Sequence, residues 1–183
     1  MRKKLVRISK FLSLVLRHKP EEIGIELDEQ GWTEVAGLLR AAQRRGVSIS
    51  REELDEVVFT NDKQRFAFSA DGSRIRANQG HSVQIDLALQ PQQPPAKLYH
   101  GTATRFIDAI RDQGLKKMNR QHVHLSPTTD QAHRVGSRHG KPIVLTVDCE
   151  AMAAAGYLFY VSLNGVWLTD HVPASFIQGW DPE

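Results

Sequence analysis

The sequence predicts an α+β protein built in two halves. Three observations carry this. A proline- and glutamine-rich stretch, Gln90 to Lys97 (QPQQPPAK), interrupts the chain near its middle. Before it, apolar residues recur at helical spacing and then alternate as in a hairpin. After it, short apolar strands are interspersed with short helices, without regular βαβ alternation.

The first helix is predicted from about Lys3 to Arg17, where Leu5, Ile8, Phe11, Leu12, Val15 and Leu16 share one face and Pro20 ends the run. Thr33 is placed to cap a second helix with Val35, Leu38, Leu39 and Ala42 inward and Gly46 as its stop. Ser50-Arg51-Glu52-Glu53 has the form of a capping box, opening a third helix through about Phe59. Arg65–Ser69 and Ser73–Ala77 alternate around Asp71-Gly72, a hairpin signal. Three helices closed by a hairpin is the winged-helix plan, a relative of the helix-turn-helix.

The Gln90–Lys97 stretch, with three prolines in eight residues, sustains neither a helix nor a central strand and is expected to be a short, stiff linker. Beyond it, strands are predicted at Lys97–Tyr99, Val123–Leu125, Ile143–Val147, Leu158–Val161 and Val166–Leu168. Helices are predicted at Thr104–Gln113, stopped by Gly114, and at Thr129–Arg138. Asn164-Gly165 is a hairpin turn between the last two strands.

Composition excludes several classes. Of 183 residues, 40% are hydrophobic and 25% charged, the balance of a globular chain. No apolar run approaches the ~20 residues of a spanning helix, and the basic N-terminus is broken by Arg7, Lys10 and Arg17 with no small-residue cleavage site after it. One cysteine, Cys149, forms no intrachain disulfide and no cysteine metal cluster, which fits a reducing cytoplasm. The Rossmann, P-loop, zincin and nucleophile-elbow signatures are absent. Seven Lys/Arg and no acid fall within residues 1–20, a local field suited to a polyanion, although a solvated helix face carries the same charges.

Arginines and histidines at turns and element ends are the candidate functional residues. Arg17-His18 closes the first helix, Arg65 opens the hairpin, and His100-Gly101-Thr102 follows a short strand. There a glycine permits close approach to the backbone, while His and Thr supply hydrogen bonds. Arg134 and Arg138 lie one helical turn apart. His122 and His124 flank Val123 on one strand face, but no carboxylate or cysteine completes a metal site at motif spacing. Converging guanidiniums and imidazoles suit a phosphate-bearing substrate. Arginine forks match phosphate oxygens in pairs, and a histidine exchanges protons near neutral pH.

In order, SKFLSLVLRHKP, GW, NDKQRF, IRANQGHS, LYHGT, RQHVHLS, VGSRHGKPIVL and NGVWLTDHVP resemble the NAD-dependent RNA 2′-phosphotransferase family, the group that includes the final enzyme of tRNA splicing. The resemblance runs from about Ser9 to Pro173. It implies a winged-helix-like RNA-binding lobe over residues 1–90 and an ADP-ribosyltransferase-like, NAD-binding lobe over residues 97–183. It implies transfer of an internal 2′-phosphate from a tRNA-like RNA to NAD, with no metal, no membrane and no obligate protein partner. The family's functional side chains fall on Arg17 and His18 through LRH, on Arg65 through KQRF, and on Arg138 through GSR, with Arg134 as the alternative. Its NAD-binding segments fall on His100, Gly101 and Thr102 and on His122, His124 and Ser126. Two other classes share parts of this pattern. A winged-helix nucleic-acid-binding module leaves the HGT and HVHLS segments unexplained. An ADP-ribosyltransferase acting on protein or nucleic acid ends would not need Arg17, His18 and Arg65, and of the only two glutamates after the linker, Glu150 and Glu183, neither is obviously placed to activate a protein nucleophile.

Overall fold

The computed structural model describes residues 2–60 and 63–180. Asn61 and Asp62 of NDKQRF, and Glu183, lie outside the described residues. Helices and several small antiparallel sheets alternate along the chain, which divides into two compact units, residues 1–88 and 89–183.

In the first unit, α1 (Arg2–Val15) buries Ile8, Leu12 and Val15. The helix stops two residues earlier than the periodicity suggests. Leu16 is still fully buried and its amide bonds Leu12 O, but the amides of His18 and Lys19 both turn back onto Leu14 O. Arg17 and His18 therefore sit in the terminating turn, just after two buried residues that fix its position.

Thr33 does not cap the next helix. It forms a two-residue strand β1 (Thr33–Glu34), its backbone paired with Ile75 and its side chain buried, and α2 (Val35–Arg44) starts directly after it. The β-branched residue is taken by a sheet edge, which offers backbone partners that an isolated cap does not. Gly46 follows α2 with φ +75°, as a helix stop requires.

The Ser50 hydroxyl accepts from the Glu53 amide, and the Glu53 carboxylate accepts from the Ser50 amide, so α3 (Arg51–Phe59) opens on the expected capping box. β2 (Phe66–Phe68) and β3 (Arg74–Ala77) form the hairpin, with Gly72 at φ +69° and the Asp71 carboxylate accepting from Ser69 Oγ, Ser73 N and Ser73 Oγ. Those donors hold the Asp71 carboxyl down at about 2. With β1 the hairpin becomes a three-stranded sheet in the order β1-β3-β2. Leu12, Leu16, Leu38, Leu54 and Ile75 form its core with the three helices.

The second unit opens with the proline-rich stretch, in which the Gln92 amide bonds Phe159 O, so part of it is secured to this unit. β4 (Lys97–Ala103) pairs along its whole length with β7 (Pro142–Asp148). A 3-10 turn and α4 (Ile107–Gln113) follow β4, ending at Gly114 with φ +71°. β5 (Leu115–Lys116), β6 (Val123–Leu125) and α5 (Thr129–Gly136) come next, the last two residues short of the expected Arg138. After β7 come α6 (Cys149–Ala154), β8 (Phe159–Val161) and β9 (Trp167–Thr169). The short strands β10 (His171–Val172) and β11 (Ile177–Gln178) complete the unit. Gly165 in the β8–β9 turn has φ +74°, as the Asn164-Gly165 signal requires. The sheets run β11-β7-β4, β6-β9-β8 and β10-β5. Reciprocal Tyr99–Ser126 backbone bonds of 2.7 and 2.9 Å link β4 to the chain leaving β6. Leu98, Leu125, Leu145, Val147 and Phe159 fill the core between sheets and helices. No helix among the described residues is long and apolar enough to cross a membrane.

Candidate active site

Arg17, His18 and Arg65 come together in the first unit. Arg17 Nη2 donates to Arg65 O at 3.4 Å, and its guanidinium lies 5.9 Å from the centre of the Phe66 ring. Asn78 secures the opposite side of the same strand end. Its amide bonds Arg65 O at 2.9 Å and its Nδ2 bonds Gln64 O at 2.5 Å, where Gln64 adopts φ +39°. His18 Nδ1 is 2.9 Å from Ser82 Oγ, and the amides of Ser82 and Val83 both bond Arg17 O. His18 and Arg65 border a groove of about 660 Å³ between α1 and the segment after α3, with Lys10 and Lys63 on its walls and Val6 and Leu14 as apolar lining.

His81, near Ser82 in sequence, is 1% exposed, with neither ring nitrogen hydrogen-bonded. Burial, and then the charges of Arg17, His18 and Arg76, push its pKa down to about 3, so the ring is neutral at any ordinary pH. A further cation in that place would be repelled by these three; a neutral imidazole fills the volume without adding charge. Arg76 is engaged elsewhere, stacked 4.5 Å from the centre of the Trp32 ring and donating to Gln30 O at 3.4 Å.

The second unit gathers another set. His100 Nδ1 lies 3.0 Å from His124 O; a carbonyl only accepts, so Nδ1 carries the proton. Burial lowers the His100 pKa; the hydrogen bond opposes this, while Arg120 and His139 lower it further. Arg120 Nη1 lies 3.0 Å from His124 Nδ1, which must accept because a guanidinium only donates, so His124 is neutral in this contact. Desolvation, then the neighbouring charge of Arg138, lowers the Arg120 pKa, yet an arginine remains a full cation at neutral pH. Every charged neighbour acting on His100 and Arg120 here is a base, and the field suits a polyanion.

His122 turns to the Tyr160 ring, 5.7 Å between centres. Ser126 serves through its backbone on Tyr99, and Thr102 is buried. Gly101 packs directly beneath α5, where a Cβ would meet Ala132 O. Arg134 lies in the last turn of α5 and Arg138 just beyond it. Among the described residues, no three His, Cys, Asp or Glu side chains cluster as metal ligands.

Arg120 is the member that sequence reasoning passed over. It belongs to RQHVHLS, where the two histidines carry the visible signal, and its four-residue offset from His124 spans a turn rather than a helix. Nothing local marks such an offset as a contact.

Guanidiniums beside imidazoles are the side chains suited to a protein whose ligand is a phosphate-bearing polyanion. Comparison with known sequences makes the class specific: residues 3–171 match the model of the RNA 2′-phosphotransferase, Tpt1/KptA family, and the chain belongs to that family. A probable RNA 2′-phosphotransferase of Hahella chejuensis is 56% identical over 178 residues, covering 97% of this chain and 96% of its own. One of Streptomyces griseus is 57% identical over 182 residues, 96% of each chain. One of Pseudomonas fluorescens is 53% identical over 180 residues, covering 97% of this chain and 99% of its own.

Proposed function

We propose that the chain removes an internal RNA 2′-phosphate by transferring it to NAD. Residues 1–90 act as a winged-helix-like RNA-binding lobe and residues 97–183 as an ADP-ribosyltransferase-like lobe. The observation that carries the reading is the convergence of Arg17, His18 and Arg65 through the Arg17–Arg65 and His18–Ser82 bonds in a chain of this family.

In the first step an oxygen of the RNA 2′-phosphate bonds the anomeric carbon of the nicotinamide ribose, and nicotinamide leaves with the electron pair of the broken bond. The attacking group is already an anion and the leaving group departs neutral, so holding the two in line supplies much of the catalysis. In the second step the neighbouring ribose hydroxyl bonds the phosphorus and the RNA 2′-oxygen leaves, giving ADP-ribose cyclic phosphate. The hydroxyl proton must depart and the RNA oxygen must gain one. His18 is the proton carrier, and Arg17 and Arg65 stabilise charge at phosphorus.

The cluster of the second unit serves NAD. His100, Thr102, His122, His124 and Ser126 form or support its binding segments, with Gly101 setting the strand against α5. The guanidiniums of Arg120 and Arg138 suit a pyrophosphate or the reacting phosphate. The Arg138 charge reaches Arg120, which supports Arg138 over Arg134 as the functional arginine. The enzyme is expected to work in the cytoplasm without a metal.

The test is a two-product assay on a short RNA bearing one internal 2′-phosphate. Nicotinamide and 2′-hydroxyl RNA should both appear only with NAD, and chelators should leave the rate unchanged. Loss of activity in chelator, restored by a divalent ion, would count directly against this mechanism.

A further inference from the structure

We propose that Ser82 is a positioning residue that keeps the His18 proton on Nδ1 and so makes Nε2 the nitrogen that exchanges protons in the second step. The proposal rests on the role given to His18 above and deepens it.

Ser82 lies 64 residues from His18 in sequence, yet its Oγ stands 2.9 Å from His18 Nδ1. The same hydroxyl faces Arg17 O at 3.5 Å. That carbonyl only accepts, so a hydroxyl proton directed at it leaves an Oγ lone pair for His18. In that arrangement the partner is an Nδ1–H donor. This arrangement serves both protonation states. In the neutral ring, Nδ1 holds the proton and Nε2 the lone pair of a base; in the imidazolium, Nδ1–H still donates to Oγ while Nε2–H is the acid. Only Nε2 changes, and the hydrogen bond need not rearrange between the two proton transfers.

The surrounding backbone gives Ser82 a fixed place. Its amide and that of Val83 bond Arg17 O at 2.9 and 3.3 Å, so the hydroxyl and the histidine it orients are referenced to one carbonyl. His81, the preceding residue, is buried. At the other end of the segment, Asn78 fixes Gln64 and Arg65. Residues 78–82 thus hold both sides of the Arg17–His18–Arg65 group.

The readout that needs no activity is the ¹⁵N spectrum of His18, assigned by its loss in His18→Ala. In the neutral ring, Nδ1 should appear protonated and Nε2 unprotonated. In Ser82→Ala, that preference should be lost, and the second step should slow roughly 3–10-fold, the scale of one partly exposed hydrogen bond. Nicotinamide release should be unchanged in rate, and Ser82→Thr should restore both the spectrum and the rate. A protonated Nε2 with unprotonated Nδ1 in the parent protein, or a Ser82→Ala variant with parental spectrum and second-step rate, would overturn the proposal. His18→Ala separates this from the parent reading: if that variant completes the second step normally, the role of His18 falls, whatever its tautomer.

Discussion

Gly101 on β4 and Gly136 on α5 meet backbone to backbone. A Cβ on Gly101 would lie 1.6 Å from Ala132 O and 2.9 Å from Gly136 N, and one on Gly136 would lie 2.5 Å from Thr102 O. Neither clash ends on a flexible side chain. Gly101→Ala should therefore push α5 away from the strand, destabilising the protein by roughly 1–3 kcal/mol or more, as overpacking does. Chemical denaturation measures this. The displacement also moves His100 and Thr102, so nicotinamide release should weaken together with stability.

Under the proposed mechanism, the two chemical steps should respond differently to loss of the candidate arginines and His18. Alanine at Arg17, His18, Arg65 or Arg138 should slow the second step more than the first, because protons move and charge builds at phosphorus only there. His18→Ala should slow it by roughly 10²–10⁴-fold, the range of general acid–base catalysis. RNA carrying an ADP-ribosyl phosphate should accumulate, and rapid-quench electrophoresis would detect it. Its absence at every time point, with nicotinamide release also blocked, would assign these residues to the first step.

Arg120 and Arg134 form a contrast within 15 residues of sequence. Arg120 bonds His124 and feels the charge of Arg138. Arg120→Ala should lower turnover by roughly 10–10³-fold if it meets a reacting or binding phosphate. Arg134→Ala should stay within about twofold of the parent, the scale of a ~0.4 kcal/mol change at a solvated helix end. Steady-state kinetics on both variants decides it.

His81 sets an acid limit on stability. Its folded pKa is about 3, whereas the unfolded imidazole titrates near ~6.5. Its contribution is fully present above the unfolded value. As pH falls below ~6.5, the unfolded chain takes a proton that the folded chain refuses, and stability drops with a slope approaching ~1.4 kcal/mol per pH unit. The loss continues toward the folded pKa. His100, also lowered, acts with the same sign in the other unit. Between about pH 6 and 5, above the main carboxylate range, His81→Leu should show a shallower slope than the parent in urea titrations.

Cys149 should be inert in the native state. It is fully buried, its Sγ directed to Val147 O at 3.6 Å, and burial pushes its pKa up to about 12. A thiolate-dependent reagent should label it only on unfolding, so the labelling rate becomes a probe of opening of the second unit.

Much of the local structure was determined by sequence alone. The Ser50–Glu53 capping box, the Asp71-Gly72 and Asn164-Gly165 turns and the helix stops at Gly46 and Gly114 all rest on groups within a few residues of one another. Short-range sterics and hydrogen bonding decide such features wherever the segment ends up. Ordered motifs likewise sufficed to identify the family, because each places a residue type at a set distance from the next.

Tertiary structure decided what depends on partners far away in sequence. Thr33 left its expected cap because β3, some 40 residues later, offered its backbone a strand partner. Gly101 is surrounded by the α5 backbone, so its missing side chain first serves packing. His18 and Ser82, 64 residues apart, meet only where the fold joins them, and His100 acquires its proton assignment only from a carbonyl 24 residues away. A single sequence encodes such pairs without marking them. Periodicity reports which face is buried, whereas the partner across that face is set by topology and close packing.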